Sequence, residues 1–257
     1  MGHVRLGKPL GGKKWIPVVQ LIEQGGEVPE IANATVSVAK RGLNLASKDT
    51  GVVETLWLLA QIPLAARSED FAGALRQAGL EVSHAPGLME IVGAFSEAID
   101  KRLPNNRDRT DLGEMGQMAA AETISKIIGS RLPSLLGSPP GEVQRTFSGL
   151  ATNEQFSQFT GDFLGRLIHK YIDYFLSRAL PQHIGEGKRF ATLAEQSEFS
   201  NSLRDHCREA SRAVEGISAE WLSRENWEKS GISQEQAGRF IHMAVRKISD
   251  ELKRGGT

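Results

Sequence analysis

The sequence predicts an all-α fold: a multi-helix bundle with an irregular N-terminal arm. Over the last hundred residues, apolar side chains recur every three or four positions, which places them on one face of a helix. Helix-capping residues precede these stretches at the expected spacing. Buried aromatic side chains stabilise a fold by roughly 2 kcal/mol or more each, so an aromatic stripe is a strong packing signal. The clearest such stripe consists of Phe156, Phe159, Phe163, Leu167, Tyr171 and Tyr174.

The N-terminal arm, residues 1–29, differs from the rest of the chain. It contains six glycines and three prolines, and a β-branched run lies at positions 16–19. We therefore expect an extended or partly β conformation, with turns at Gly11-Gly12 and Gly25-Gly26. The first fourteen residues carry four basic side chains and no acidic one, which is typical either of a solvated arm or of contact with an acidic surface.

The region over 30–132 follows as a series of helices. The second of them is apolar on nearly every side, which is typical of a helix at the centre of a fold. The last is rich in glycine and alanine, which lets neighbouring helix backbones approach closely. Ser68 is the expected cap of the third helix. The predicted spans are about 30–46, 50–66, 68–79, 86–103 and 110–131.

The C-terminal region over 141–257 is expected to hold three or four helices. Capping boxes are predicted at 152–155 and 233–236, where Thr or Ser is followed three residues later by Gln. The aromatic helix should stop at Leu180-Pro181, and a long helix should cover about 192–224. The proline- and glycine-containing stretch over 133–140 is a candidate boundary, so this region and 30–132 form either separate units or one continuous domain.

Composition limits the classes of function. The 257 residues carry 31 basic and 31 acidic side chains, whereas nonspecific nucleic-acid binders usually have a positive excess. The single cysteine, Cys207, excludes an internal disulfide, and its position in an apolar stripe predicts a buried side chain. The histidines show no metal-binding spacing, so we expect neither a metal site nor a cofactor. The N-terminus has no signal-peptide pattern and no stretch is long enough to span a membrane, so we expect a cytoplasmic protein.

The loop at 183–190 is the best single candidate for a ligand site. Gly185 and Gly187 free the backbone to turn its amides inward, Lys188 and Arg189 supply positive charge, and a helix begins directly afterwards. These features are typical of an anion-binding nest. The alternative is a simple glycine-containing connection between two helices.

Basic stripes on two helices form the second candidate, with nucleic acid or phosphate as the ligand. Arg204, Arg208 and Arg212 repeat every four residues on the long helix. Arg239 and Arg246 recur with His242 on the last helix. Two such faces could hold a phosphate backbone if the fold brings them together. Acidic residues lie between the basic ones, however, which is also typical of a solvated surface with ion pairs.

The C-terminal hundred residues resemble uncharacterised bacterial proteins encoded near phage-defence genes. The resemblance rests on Ile168-His-Lys-Tyr-Ile-Asp-Tyr-Phe, on His183-Ile-Gly-Glu-Gly-Lys-Arg-Phe and on Asp205-His-Cys-Arg-Glu-Ala. It implies a role in a multiprotein bacterial system, with phage defence as the expected context, and it assigns no functional residue.

The sequence lacks the common catalytic motifs: GxSxG, HExxH, a Walker A loop and a dinucleotide-binding GxGxxG. Helix faces are plentiful and catalytic groupings are few, so we expect a protein–protein interaction subunit or adaptor that binds a protein partner or forms a homo-oligomer. A nucleic-acid-binding accessory component is the first alternative. An enzyme acting on a small molecule or phosphate ligand is the second.

Overall fold

The computed structural model describes residues 12–103, 109–134, 138–221 and 232–255. Of these residues, 77% lie in α- or 3₁₀-helices, and the described ranges contain no strand, although an isolated β-bridge joins Ile184 and Phe190. The predicted all-α bundle is therefore confirmed, as is the expectation that more than half of the residues are helical.

The helices follow one another with short connections. The first half contains α1 Ile16–Glu23, α2 Val28–Leu43, α3 Thr50–Ala65, α4 Phe71–Gln77, α5 Leu88–Arg102 and α6 Asp111–Gly129. The second half contains α7 Pro140–Ser148, α8 Asn153–Leu176, α9 Leu193–Ser211, α10 Glu215–Trp221 and α11 Gln234–Arg254. Single 3₁₀ turns lie at Ala46–Lys48, Gly149–Ala151, Leu180–His183 and Arg212–Val214.

The described part of the N-terminal arm is helical, so the expected extended or partly β conformation is wrong for residues 16–23. Pro17 stands in the first turn of α1, where its missing amide costs no hydrogen bond. Val18 and Ile22 are four residues apart, about one helical turn, and both are buried on the face of α1 that meets the core. The turn predicted at Gly25-Gly26 is present, with Gly25 at a φ of +80°. The turn predicted at Gly11-Gly12 falls at the edge of the described residues, since residues 1–11 lie outside them.

Several helix ends differ from the predicted positions. Asp70, not Ser68, caps α4, because its carboxylate accepts the amide of Gly73 at 2.7 Å. The aromatic helix α8 ends at Leu176, before the 3₁₀ turn that contains Pro181. The long helix predicted over 192–224 is divided at Ser211 by a 3₁₀ turn, and α10 continues only to Trp221 in the described residues.

Two predicted capping boxes have different outcomes. Ser233 and Gln236 form both reciprocal hydrogen bonds at the start of α11. Thr152 caps α8 by accepting the amide of Gln155, but the Gln155 side chain accepts a bond from Arg131 at 2.6 Å instead. The side-chain oxygen of Gln155 therefore bonds to Arg131 and not to the backbone amide of Thr152, so only half of this capping box forms.

The aromatic helix α8 lies at the centre of the bundle, between α6, α9 and α10. Every member of its predicted stripe is buried except Tyr174, which is half-buried. Tyr171 donates its hydroxyl to the carbonyl of Ala39 at 2.6 Å, so a phenol in the core joins α8 to α2. One hydrophobic core extends from Val18 to Leu252 and includes residues from both predicted helical regions.

The helices α3 and α6 approach each other most closely at their N-termini. A methyl group added to Gly51 would lie 2.8 Å from the Cα of Gly113, so the two backbones touch at this point. The carboxylate of Asp49 caps α3 through the amide of Val52, and it also accepts the Thr110 hydroxyl at 2.6 Å. Thr110 in turn caps α6. Burial raises the pKa of Asp49, and the hydrogen bond from Thr110 partly offsets this effect.

The glycine contact predicts an unusual result for an alanine substitution. Alanine normally stabilises a helix relative to glycine by up to about 1 kcal/mol. Gly51→Ala should instead destabilise the protein by about 1–3 kcal/mol, because the added methyl group forces α3 and α6 apart. Gly93→Ala in α5 is the matched control, since nothing lies within 4 Å of its added methyl group. Urea unfolding would measure both effects, and equal stability of the two variants would contradict the close approach.

Candidate functional site

The loop at 183–190 is ordered by its own hydrogen bonds. Gly185 and Gly187 have φ values of +132° and +71°, as the sequence suggested for a tightly turning backbone. The amides of Gly185, Lys188 and Phe190 donate to carbonyls within the loop, and the amide of Ala191 donates to Glu195. These amides therefore already have partners, whereas an anion nest would present them to a ligand.

The two basic side chains of this loop also contact the protein itself. Lys188 donates to the carbonyl of Gln182 at 2.9 Å, while Arg189 donates to the carbonyl of Gly26 at 3.3 Å and lies over the ring of Phe190. Arg189 thus links the loop to the turn between α1 and α2 by a hydrogen bond. This geometry favours the alternative in which the loop is a connection.

The first basic stripe lies on the surface of α9 and its 3₁₀ extension. Arg208 pairs with Asp205 at 3.1 Å and Arg212 pairs with Glu209 at 3.0 Å, each about one turn away on the same segment. Both arginines also line a cavity of about 520 Å³ between α6, α8 and α9, together with Arg131. Arg204 is exposed, and its charge adds to the effect of burial, which lowers the pKa of the His169 imidazole.

The second stripe, on α11, is divided between two other cavities. Arg239 pairs with Glu235 at 2.6 Å and lines a large cavity beside α3. Arg246 lines a smaller cavity beside α2, and His242 lines both. Arg208 and Arg212 meet at one cavity, but Arg239 and Arg246 line others, so the described cavities do not unite the two predicted stripes.

The large cavity, here called the α3–α11 groove, has a volume of about 940 Å³. Its apolar lining is formed by Val53 from α3, Trp221 from α10, and Phe240 and Met243 from α11. The rings of Trp221 and Phe240 stack at 4.4 Å with an interplanar angle of 13°. Because Phe240 is fully buried, this stacked pair forms a fixed aromatic floor.

The position of α11 depends on a glycine at the groove. A methyl group added to Gly238 would lie 3.1 Å from the carbonyl oxygen of Ser47, so α11 passes close to the 3₁₀ turn Ala46–Lys48. Around the apolar floor, the charged lining is balanced between two cations and two carboxylates. These side chains are Lys48, Arg239, Glu54 and Glu235.

The smaller cavity, here called the α2–α11 groove, has a volume of about 370 Å³ and is basic. It shares Ser47 and His242 with the α3–α11 groove, so the two grooves adjoin. Sequence reasoning had identified Arg246 but not Lys40, which lines the same groove from α2. The apolar groove was also missed, although Met243 stands out as an apolar residue on the polar side of α11.

Three titratable side chains lie away from these grooves: Cys207 is buried, and His169 and His206 are half-buried. Burial raises the pKa of Cys207 to about 12, so the predicted buried cysteine is confirmed and its thiol stays protonated at neutral pH. Burial lowers the pKa of His169 and of His206. The Nε2 atom of each histidine has no hydrogen-bond partner among the described residues.

The two histidines predict a loss of stability on acidification. Because their pKa values are lowered in the folded protein, the unfolded chain takes up protons first as the pH falls through about 6.5. Their contribution to stability is therefore present above that pH and is lost below it. We expect the midpoint of thermal unfolding to fall by a few degrees between pH 7.5 and 5.5. In His169→Gln and His206→Gln this decrease should be smaller, and an unchanged decrease in both variants would contradict the assignment.

No group of three or more His, Cys, Asp or Glu side chains within the described ranges is placed to hold a metal ion. None of the helices in the described part of the chain is both long and apolar enough to cross a membrane.

Comparison of the chain with protein-family models, with curated proteins and with solved structures finds no match. The candidate sites are therefore defined by their geometry alone.

Proposed function

We propose that this protein is a helical interaction subunit that binds a segment of a partner protein in the α3–α11 groove. The observation that carries the proposal is the partly exposed apolar lining formed by Met243 and Val53 over the buried stacked pair of Trp221 and Phe240. An apolar patch with a rigid base and a polar rim, which a partner can cover, is typical of the centre of a protein–protein interface.

The size of the groove supports this function. A volume of about 940 Å³ lies at the upper end of the range for small-ligand pockets, so it can receive several side chains of a partner segment. Met243 is 46% exposed and contributes a flexible, polarizable side chain, which suits the binding of irregular apolar surfaces. The balanced charges of the surrounding side chains favour a partner with an apolar anchor and mixed polar flanks.

The resemblance to bacterial proteins encoded near phage-defence genes supplies the proposed context. In that context the partner would be another subunit of a multiprotein bacterial system. A pull-down from the native host would test the adaptor function, and a monomeric protein that elutes alone and converts a small molecule would contradict it.

The groove predicts a specific loss of partner binding in Met243→Glu. A carboxylate placed at the apolar lining must lose water when the partner binds, so recovery of the partner should fall at least about tenfold. Met89→Glu is the matched control, because Met89 is 49% exposed on α5 and lines none of the described grooves. Quantitative mass spectrometry of the pull-downs would measure both variants.

Thermal unfolding of both glutamate variants should remain close to that of the wild type, because the two methionines are about half exposed. Equal recovery of the partner by the wild type and Met243→Glu would place the interface elsewhere on the molecule.

A nucleic-acid-binding accessory component is the second candidate function. It is favoured by the cavity of about 520 Å³ at which Arg131, Arg208 and Arg212 meet. The prediction is a gel shift that weakens steeply with salt and weakens again in the triple variant Arg204→Ala/Arg208→Ala/Arg212→Ala. Binding that does not depend on salt would remove this candidate.

A further inference from the structure

The α2–α11 groove gathers positive charge from two helices. Lys40 comes from α2, while Arg246 and Lys253 come from α11. The two helices run antiparallel: Asn33, near the start of α2, donates to the carbonyl of Lys253, whereas Ser47, just after α2, lies beside Gly238. Lys40 and Asn44 are one turn apart, as are His242 and Arg246, so each pair lies on one face and lines the same groove.

The charge in this groove is only partly neutralised. Among its lining residues the sole acid is Asp250, which pairs with Lys253 at 3.3 Å. Neither Lys40 nor Arg246 has an ion-pair or hydrogen-bond partner among the described residues. In contrast, Arg208, Arg212 and Arg239 each pair with a carboxylate about one turn away. Most arginines of the two basic stripes are therefore neutralised by a carboxylate on their own segment.

Neutral polar groups accompany the two unpaired cations. The side chains of Asn44 and Ser47 line the groove and make no hydrogen bond to another described residue, so both can donate to a ligand. The hydroxyl of Ser249 is not available in this way, because it donates to the carbonyl of Val245 at 2.7 Å. His242 closes the groove on the side of the apolar cavity.

The C-terminal end of α2 gives Lys40 a second role. Cations near a helix C-terminus interact favourably with its carbonyl groups, and α2 ends at Leu43. Arg246 lies in the middle of α11 and has no such partner. Its position beside Lys40 therefore points to an external anion rather than to the stabilisation of a helix end.

We propose that the α2–α11 groove binds the phosphoryl group of a small phosphorylated ligand between Lys40 and Arg246. A dianion with three terminal oxygens matches two cations, one of them a forked guanidinium, together with the amide of Asn44 and the hydroxyl of Ser47. The volume of about 370 Å³ suits a small molecule, whereas a nucleic-acid strand needs a long basic track. This site adjoins the proposed protein-binding groove, and its ligand can be tested without a protein partner.

Isothermal titration of the full-length protein with sodium pyrophosphate at low ionic strength tests the proposal. Lys40→Ala and Arg246→Ala should each weaken binding at least about tenfold, because each removes a charged hydrogen-bond donor. Arg239→Ala is the matched control: it removes an arginine from the same helix, but one that already pairs with Glu235, and it should change affinity less than about twofold. All three side chains are exposed, so the variants should fold normally, and thermal unfolding would verify this.

Three results would overturn the proposal. The first is no pyrophosphate binding by the wild-type protein, and the second is an equal loss of affinity in Arg239→Ala, which would indicate nonspecific charge attraction. The third is tighter binding of a competitor: citrate would assign the groove to carboxylates, and a single-stranded oligonucleotide would assign it to nucleic acid. Since none of these titrations contains a protein partner, their outcome is separate from that of the proposed interaction function.

Discussion

The arrangement of the helices depends on the junction at which α3 and α6 begin. The carboxylate of Asp49 accepts hydrogen bonds from the start of α3 and from Thr110, which caps α6, so one side chain links two helix N-termini. A carboxylate at this place also interacts favourably with the positive ends of both helices. Gly51 and Gly113 make the junction possible because neither has a side chain to keep the backbones apart. The 3₁₀ turn Ala46–Lys48 directly precedes this junction, and both grooves are lined by its Ser47, so the position of the junction also sets the shape of the grooves.

The parts of the fold that the sequence predicted correctly are those decided by neighbouring residues. The aromatic stripe of α8 and the capping box at Ser233 each involve side chains within a few turns of one helix, so their spacing in the sequence is their spacing in space. The prediction was wrong for α1, because β-branched residues favour strands only weakly and the burial of Val18 and Ile22 against the core decided the outcome. It was also wrong at Ser211, where a 3₁₀ turn interrupts a continuous apolar stripe.

The candidate sites were less predictable than the fold, because they join residues that are distant in the sequence. Arg246 belonged to a visible stripe, but its neighbour Lys40 lies on the second helix of the chain, and no local pattern connects them. The α3–α11 groove likewise combines three helices. The spacing of the basic stripes predicted positive charge that a ligand could neutralise. In the structure, most of these arginines already pair with a carboxylate about one turn away. What distinguishes the α2–α11 groove is that cations from two helices line one cavity, and only the packing of α2 against α11 shows this.

The two grooves share a boundary, and this boundary couples the two proposed binding events. Ser47 and His242 line both cavities, so a partner segment in the apolar groove and a phosphorylated ligand in the basic groove would contact the same two side chains. A side chain that turns toward one ligand is less available to the other unless the ligands also contact each other. The free energies of the two binding events are then coupled, and thermodynamic linkage requires the effect to be the same in both directions. In an interaction subunit, such a boundary would let a small anion adjust the affinity for the partner without any rearrangement of the helices.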